Sequence, residues 1–136
     1  MKHPAELALH QYLEHATRGN TSMSPETIKQ IGDDVMAAAK RQFGGGNKRD
    51  KFTLRMSNVG RPTCQLWYDK NKPEVAIPLP TTFVMNMMIG DIVEAVFKGI
   101  LTEAGVSYED TDKVSLDLGD DSVSGSYDLI VDGAVD

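Results

Sequence analysis

Val114-Ser115-Leu116-Asp117-Leu118-Gly119-Asp120-Asp121, followed shortly by Ser126-Tyr127-Asp128-Leu129-Ile130-Val131-Asp132-Gly133, is the stretch that decides the fold. Apolar residues recur here at every second position, the period of a strand with one face turned inward. Val114, Leu116 and Leu118 alternate with Ser115 and Asp117, which predicts a half-buried strand. Gly119-Asp120-Asp121 is a turn signal. In the next strand, Ser126 to Val131, Tyr127, Leu129 and Val131 share one face, and Asp128, Ile130 and Asp132 point the other way. Asp132-Gly133 is a second hairpin signal, and Ala134-Val135-Asp136 has the look of a third strand beginning.

Upstream the period changes to 3.6. A long helix is expected from about Thr81 to Ala104, with Phe83, Met87, Met88, Val93, Val96, Phe97, Ile100 and Leu101 among its apolar positions and Gly105 closing it. Before it, Pro73, Pro78 and Pro80 mark an extended connector. Ser57 to Lys70 is expected to form a short helix with Pro62 in its first turn. Near the N-terminus, Ser24 can cap a helix that has Pro25 and Glu26 in its first turn and Ile28, Ile31, Val35, Met36 and Ala39 on one face. Gly44-Gly45-Gly46 end it, and the loop Asn47-Lys48-Arg49-Asp50 follows. A further helix is expected from Pro4 to Arg18, stopped by Gly19-Asn20. The fold class is therefore α+β, N-terminal helices followed by an antiparallel β-meander. Residues 1–50 form a helical region and residues 51–136 a second body.

The length of 136 residues suits one domain. A single cysteine, Cys64, rules out an internal disulfide and a cysteine-rich metal cluster within the chain, and fits a reducing compartment. No stretch approaches the roughly 18 apolar residues of a membrane span, and Met1-Lys2-His3-Pro4 does not open a signal peptide. A cytoplasmic protein with no membrane partner is expected. The net charge of -6 argues against a protein that coats nucleic acid without specificity. The charge is uneven, however. Ten acidic residues lie between Glu103 and Asp136 against the lone Lys113, while Lys40, Arg41, Lys48, Arg49, Lys51 and Arg55 cluster earlier. These stretches suit a metal and a phosphate backbone respectively, or are two solvated surfaces.

Two acids stand out by position. Glu94 lies mid-helix among Ile92, Val93, Ala95, Val96 and Phe97, either aimed into a site or paired with Lys98 four residues on. Asp128 lies inside a strand, where aspartate is disfavoured, as does Asp117. Acids of this kind are either exposed or kept for a divalent cation, and a carboxylate cluster holding Mg²⁺ or Mn²⁺ is the apparatus of phosphodiester hydrolysis. Other motifs fail. Asp117 to Asp128 has the length of a calcium-binding loop but places Gly119 and Ser122 where that loop needs an acid and a glycine. Gly44-Gly45-Gly46 lacks the flanking strand and helix of a phosphate-binding loop. His10 and His15 diverge on a helix, and Cys64 beside Trp67 has no evident partner that would make it a nucleophile.

Ser57-Asn58-Val59-Gly60-Arg61-Pro62-Thr63-Cys64-Gln65-Leu66-Trp67-Tyr68 resembles the opening segment of RecB-type nucleases of the PD-(D/E)XK superfamily. Gly90-x-x-x-Glu94 resembles that superfamily's first helix motif, and Gly125-Ser126-Tyr127-Asp128 its second motif, a small residue and an aspartate on a strand. The three occur in the expected order across about residues 52–136, and the set is most similar to phage-encoded exonucleases. The resemblance implies the front part of a restriction-endonuclease-like core, a sheet flanked by helices that binds Mg²⁺ or Mn²⁺ and cleaves DNA, commonly from an end. It assigns Glu94 and Asp128 as catalytic metal ligands, with Asp136 as the acid at or next to the third motif. It makes Arg55, Ser57, Arg61 and Gln65 contacts to DNA phosphates. The third motif, an acid, one residue and a lysine, should follow Asp132-Gly133, and no lysine follows. The sequence thus leads to an incomplete nuclease core, inactive alone. The alternatives are a non-catalytic DNA-binding or assembly module on the same scaffold, and an interaction protein whose carboxylates are solvated. An exposed sheet edge after Asp132-Gly133 would invite a second copy or a complementing chain.

Overall fold

The computed structural model describes residues 3–45, 52–119 and 122–131. Its elements are α1 (Pro4–Thr17), α2 (Pro25–Phe43), β1 (Leu54–Arg55), α3 (Thr63–Asn71), α4 (Thr81–Glu103), β2 (Tyr108–Asp117) and β3 (Ser122–Val131), with 3-10 turns at Met56–Asn58 and Pro73–Val75. The class is α+β, and α1 and α2 precede the strands. The Asp132-Gly133 turn, the strand expected after it, Asp136 and the loop Asn47-Lys48-Arg49-Asp50 lie outside the described residues. The chain divides into two compact units, one of residues 1–46, 80–109 and 130–136, the other of residues 47–79 and 110–129. The boundary expected at residue 50 does not coincide with this division, because α4 packs with α1 and α2.

The first unit is helical, and its helices end where local chemistry ends them. His3 caps α1 through Nδ1, which accepts from the Ala5 N–H at 3.3 Å. Ser24 Oγ accepts from the Thr27 N–H at 3.3 Å at the start of α2. At the end of α4, Gly105 takes φ +75°. Its N–H then reaches the Thr102 carbonyl at 3.1 Å, and the Val106 N–H reaches Leu101 at 3.0 Å. Leu101 and Val106, the positions whose apolar side chains usually accompany such a cap, are both buried. Small residues bring α2 and α4 together. Ala38 and Ala95 are buried, and a methyl group on Gly99 would overlap the Ile31 side chain.

A second tie joins the far ends of these helices. Glu103 Oε1, in the last turn of α4, accepts from the Ser24 N–H at 3.1 Å, from Ser24 Oγ at 2.7 Å and from the Thr27 hydroxyl. A carboxylate from α4 thereby caps the positive end of α2. The Thr27 hydroxyl foremost, then Ser24 Oγ and the Ser24 N–H, hold the Glu103 carboxyl below its ordinary pKa, against a smaller opposing effect of burial.

The second unit is built on a sheet of strand order β1-β3-β2. β1 lies parallel to β3, with Leu54 beside Val123 and Arg55 beside Ser124. The expected meander is thus a mixed sheet. Two residues of strand carry no period, so β1 has no signature in the sequence. β2 starts at Tyr108 and β3 at Ser122, each earlier than the apolar alternation begins. Val114, Leu116 and Leu118 share a face as expected, but each is 59% exposed. The helix expected from Ser57 to Lys70 is broken in two. Gly60 takes φ +87°, outside helical space, and Pro62 pushes Arg61 away from the helical region. Pro62 consequently precedes α3 rather than sitting inside it.

Candidate functional site

β1 is short, yet it sets the register of the second unit's concave surface. Thr53, Arg55 and Ser57 from the β1 segment, Ser124 and Ser126 from β3, and Lys113 and Ser115 from β2 line one open cleft of about 620 Å³, together with Met56 and Gly125. On β2 and on β3 the polar lining residues are two apart, as expected for side chains on a single face. Two cations and five hydroxyls thus line one cleft. Arg55 comes from one outer strand and Lys113 from the other, with the serines of β3 between them.

Gly125 helps to hold this arrangement. A Cβ there would stand 3.0 Å from Met56 Cγ, so glycine lets the 3-10 turn carrying Met56 and Ser57 lie close against β3. A guanidinium offers paired N–H donors to two oxygens of one phosphate, and hydroxyls donate to the remaining oxygens. The cleft is thus suited to a phosphate ester or another tetrahedral oxyanion.

Of the residues implicated by sequence, Arg55 and Ser57 line the cleft. Arg61 and Gln65 are exposed, the first in the turn before α3 and the second on α3, and neither is among the lining residues. Asp128 is exposed on β3, two residues beyond Ser126 and so on the same strand face. Asp117 has a local role. Its Oδ1 accepts from the Gly119 N–H at 3.0 Å and shapes the turn out of β2.

Glu94 belongs to the first unit. Its Oε1 lies 2.6 Å from Lys98 Nζ, with side chains 35% and 8% exposed respectively. The pair foreseen at i,i+4 therefore exists, but its lysine is buried rather than on the surface. Asp91, one residue after Gly90, accepts from Gln42 Nε2 at 3.3 Å and pairs with Arg41 at 3.2 Å, tying α4 to the end of α2. Asp136 lies outside the described residues. Among the described residues no three His, Cys, Asp or Glu side chains gather to hold a metal ion. They do not by themselves complete a site for Mg²⁺ or Mn²⁺.

Sequence reasoning missed Lys113, Ser115, Ser124 and Ser126. A serine alternating with apolar residues looks like the solvated side of a strand, and only strand order reveals that several such sides form one surface. No family model matches the chain, and no curated protein or solved structure is significantly similar to it.

Proposed function

We propose that this chain is a DNA-binding scaffold of the PD-(D/E)XK nuclease kind, gripping the phosphate backbone in the cleft of Arg55, Ser57 and Lys113. One observation carries the reading: Arg55 and Ser57, singled out as phosphate contacts, share a single cleft with a second cation and four further hydroxyls. The overall charge of -6 fits a local grip of this sort better than a broad electrostatic coat. Asp128 continues the row of Ser124 and Ser126. The resemblance implies metal-dependent hydrolysis, for which Asp128, on the same strand face as Ser126, would supply one ligand.

A second reading has its own support. The Glu94 carboxylate is engaged by a buried lysine. This favours a module that binds DNA without cutting it.

Titration of a labelled DNA duplex with the purified chain, with and without Mn²⁺, tests both. Duplex binding is expected, with the Arg55→Ala variant about tenfold weaker and its salt dependence shallower by about one phosphate contact. Loss of metal dependence in Asp128→Asn supports the nuclease-type reading. Metal-independent binding without cleavage supports the second, and robust cleavage by the chain alone overturns it. Equal binding by wild type and Arg55→Ala would remove the cleft from either account.

A further inference from the structure

We infer that Trp67 and Tyr68 on α3 form a platform on which an unpaired nucleobase stacks, so that the cleft and this helix together take single-stranded nucleic acid. The inference rests on the phosphate-binding reading of the cleft. Large aromatic side chains ordinarily bury most of their area. These two, adjacent on a nine-residue helix, are 52% and 53% exposed. Their rings meet edge to face at 5.2 Å and 89°, which orders each against the other and leaves the remaining ring faces outside the pair. No residue of α3 is buried. The helix therefore presents its rings outward rather than spending them on a core, and it has no apolar stripe of its own that accounts for them.

The charges around the pair suggest what covers it. Lys70 follows Trp67 by three residues, Lys72, which pairs with Glu74 at 4.0 Å, follows Tyr68 by four, and Arg61 lies just before the helix; all three are exposed and outnumber the acids Asp69 and Glu74 nearby. Rings flanked by cations match a ligand that alternates flat bases with phosphates, since stacking is indifferent to base identity and the cations follow the backbone. The spacing also agrees. Ser57 and Trp67 belong to one unit, and six extended steps plus one helical turn separate them by at most about 26 Å. A strand of about twelve nucleotides, at 3.4 Å or more each, spans that distance.

Trp67 is the sole tryptophan of the chain, so its fluorescence reports on this position alone. The experiment titrates the full chain with a twelve-residue oligothymidylate and, separately, with an abasic strand of the same length. Oligothymidylate is expected to quench Trp67 and to bind about tenfold more tightly than the abasic strand, which should leave the emission nearly unchanged. Trp67→Ala should bring the two affinities together, and Trp67→Phe should retain most of the difference. Binding of both strands with no change at Trp67, or with the same change, overturns the platform and leaves the cleft reading standing. Binding of neither strand overturns the platform together with the cleft reading on which it rests.

Discussion

Ala5, Ala38, Ala95, Leu101 and Val106 are buried in the helical unit, whereas Val123 is the one buried apolar residue among the described residues of the sheet unit. The polar chemistry divides in the same way. In the helical unit, Glu94, Asp91 and Glu103 all hold partners from the same unit. In the sheet unit, Arg55 and the serines of β3 face an open cleft, and Trp67, Tyr68, Val114 and Leu116 are more than half exposed. The helical unit has the more buried side chains of the two, although Ile28, Met36, Phe43 and Val93 are more than half exposed there too. Stability resides chiefly in the first, and recognition is expected in the second, since binding surfaces are drawn from the less stable parts of a fold.

The most direct way to break this contrast is to empty both cores. Leu101→Ala, at the most deeply buried large side chain, is expected to lower unfolding stability by about 3 kcal/mol, and Val123→Ala by about 1.5 kcal/mol. Urea denaturation followed by circular dichroism measures both, and equal losses would mean that the sheet unit is as tightly built as the helical one. Next comes Glu94→Ala, which removes a carboxylate partner from the buried Lys98 ammonium. A loss of about 1–2 kcal/mol is expected, below the value for a fully buried pair because Glu94 keeps a third of its side chain in water. Should Glu94 instead serve a metal, calorimetry would show weakened Mn²⁺ binding with stability nearly unchanged.

The smallest effect concerns acid. Because the folded-state pKa of Glu103 is depressed, its contribution is present at pH values above the unfolded glutamate range, near 4.3. It is lost as the pH falls through the lower folded value. Melting temperatures recorded downward from pH 6 should therefore decline less steeply in Glu103→Gln than in the wild type, and identical slopes would show that the cap carries no proton linkage.

The sequence made some of this legible because the physics was local. Ser24 capping α2, Gly105 ending α4 and the alternation of Val114, Leu116 and Leu118 all follow from neighbours within a few residues. The exposure of that alternating row was not foreseeable, because period fixes which side chains share a face and not whether anything covers them. Burial of Lys98 was equally hidden. A lysine four residues after a glutamate looks like a surface pair, and the close approach of α2 at Gly99 is a tertiary fact. Of the cleft's nine lining residues, Arg55 and Ser57 were legible. The rest required β1 to find β3 in parallel, a pairing that two residues cannot announce.

The contact between Ser24 and Glu103 spans 79 positions. During synthesis at about 5–20 residues per second, α2 would wait roughly 4–16 s after its first turn emerged before the carboxylate that caps it was made. Through that interval Ala38 and the inner face of α2 would have no α4 to lie against, while residues 47–79, which belong to the other unit, were added in between. The helical unit, although it begins the chain, is therefore complete only once α4 has been made, and until then the newborn α1–α2 segment exposes the face that α4 covers.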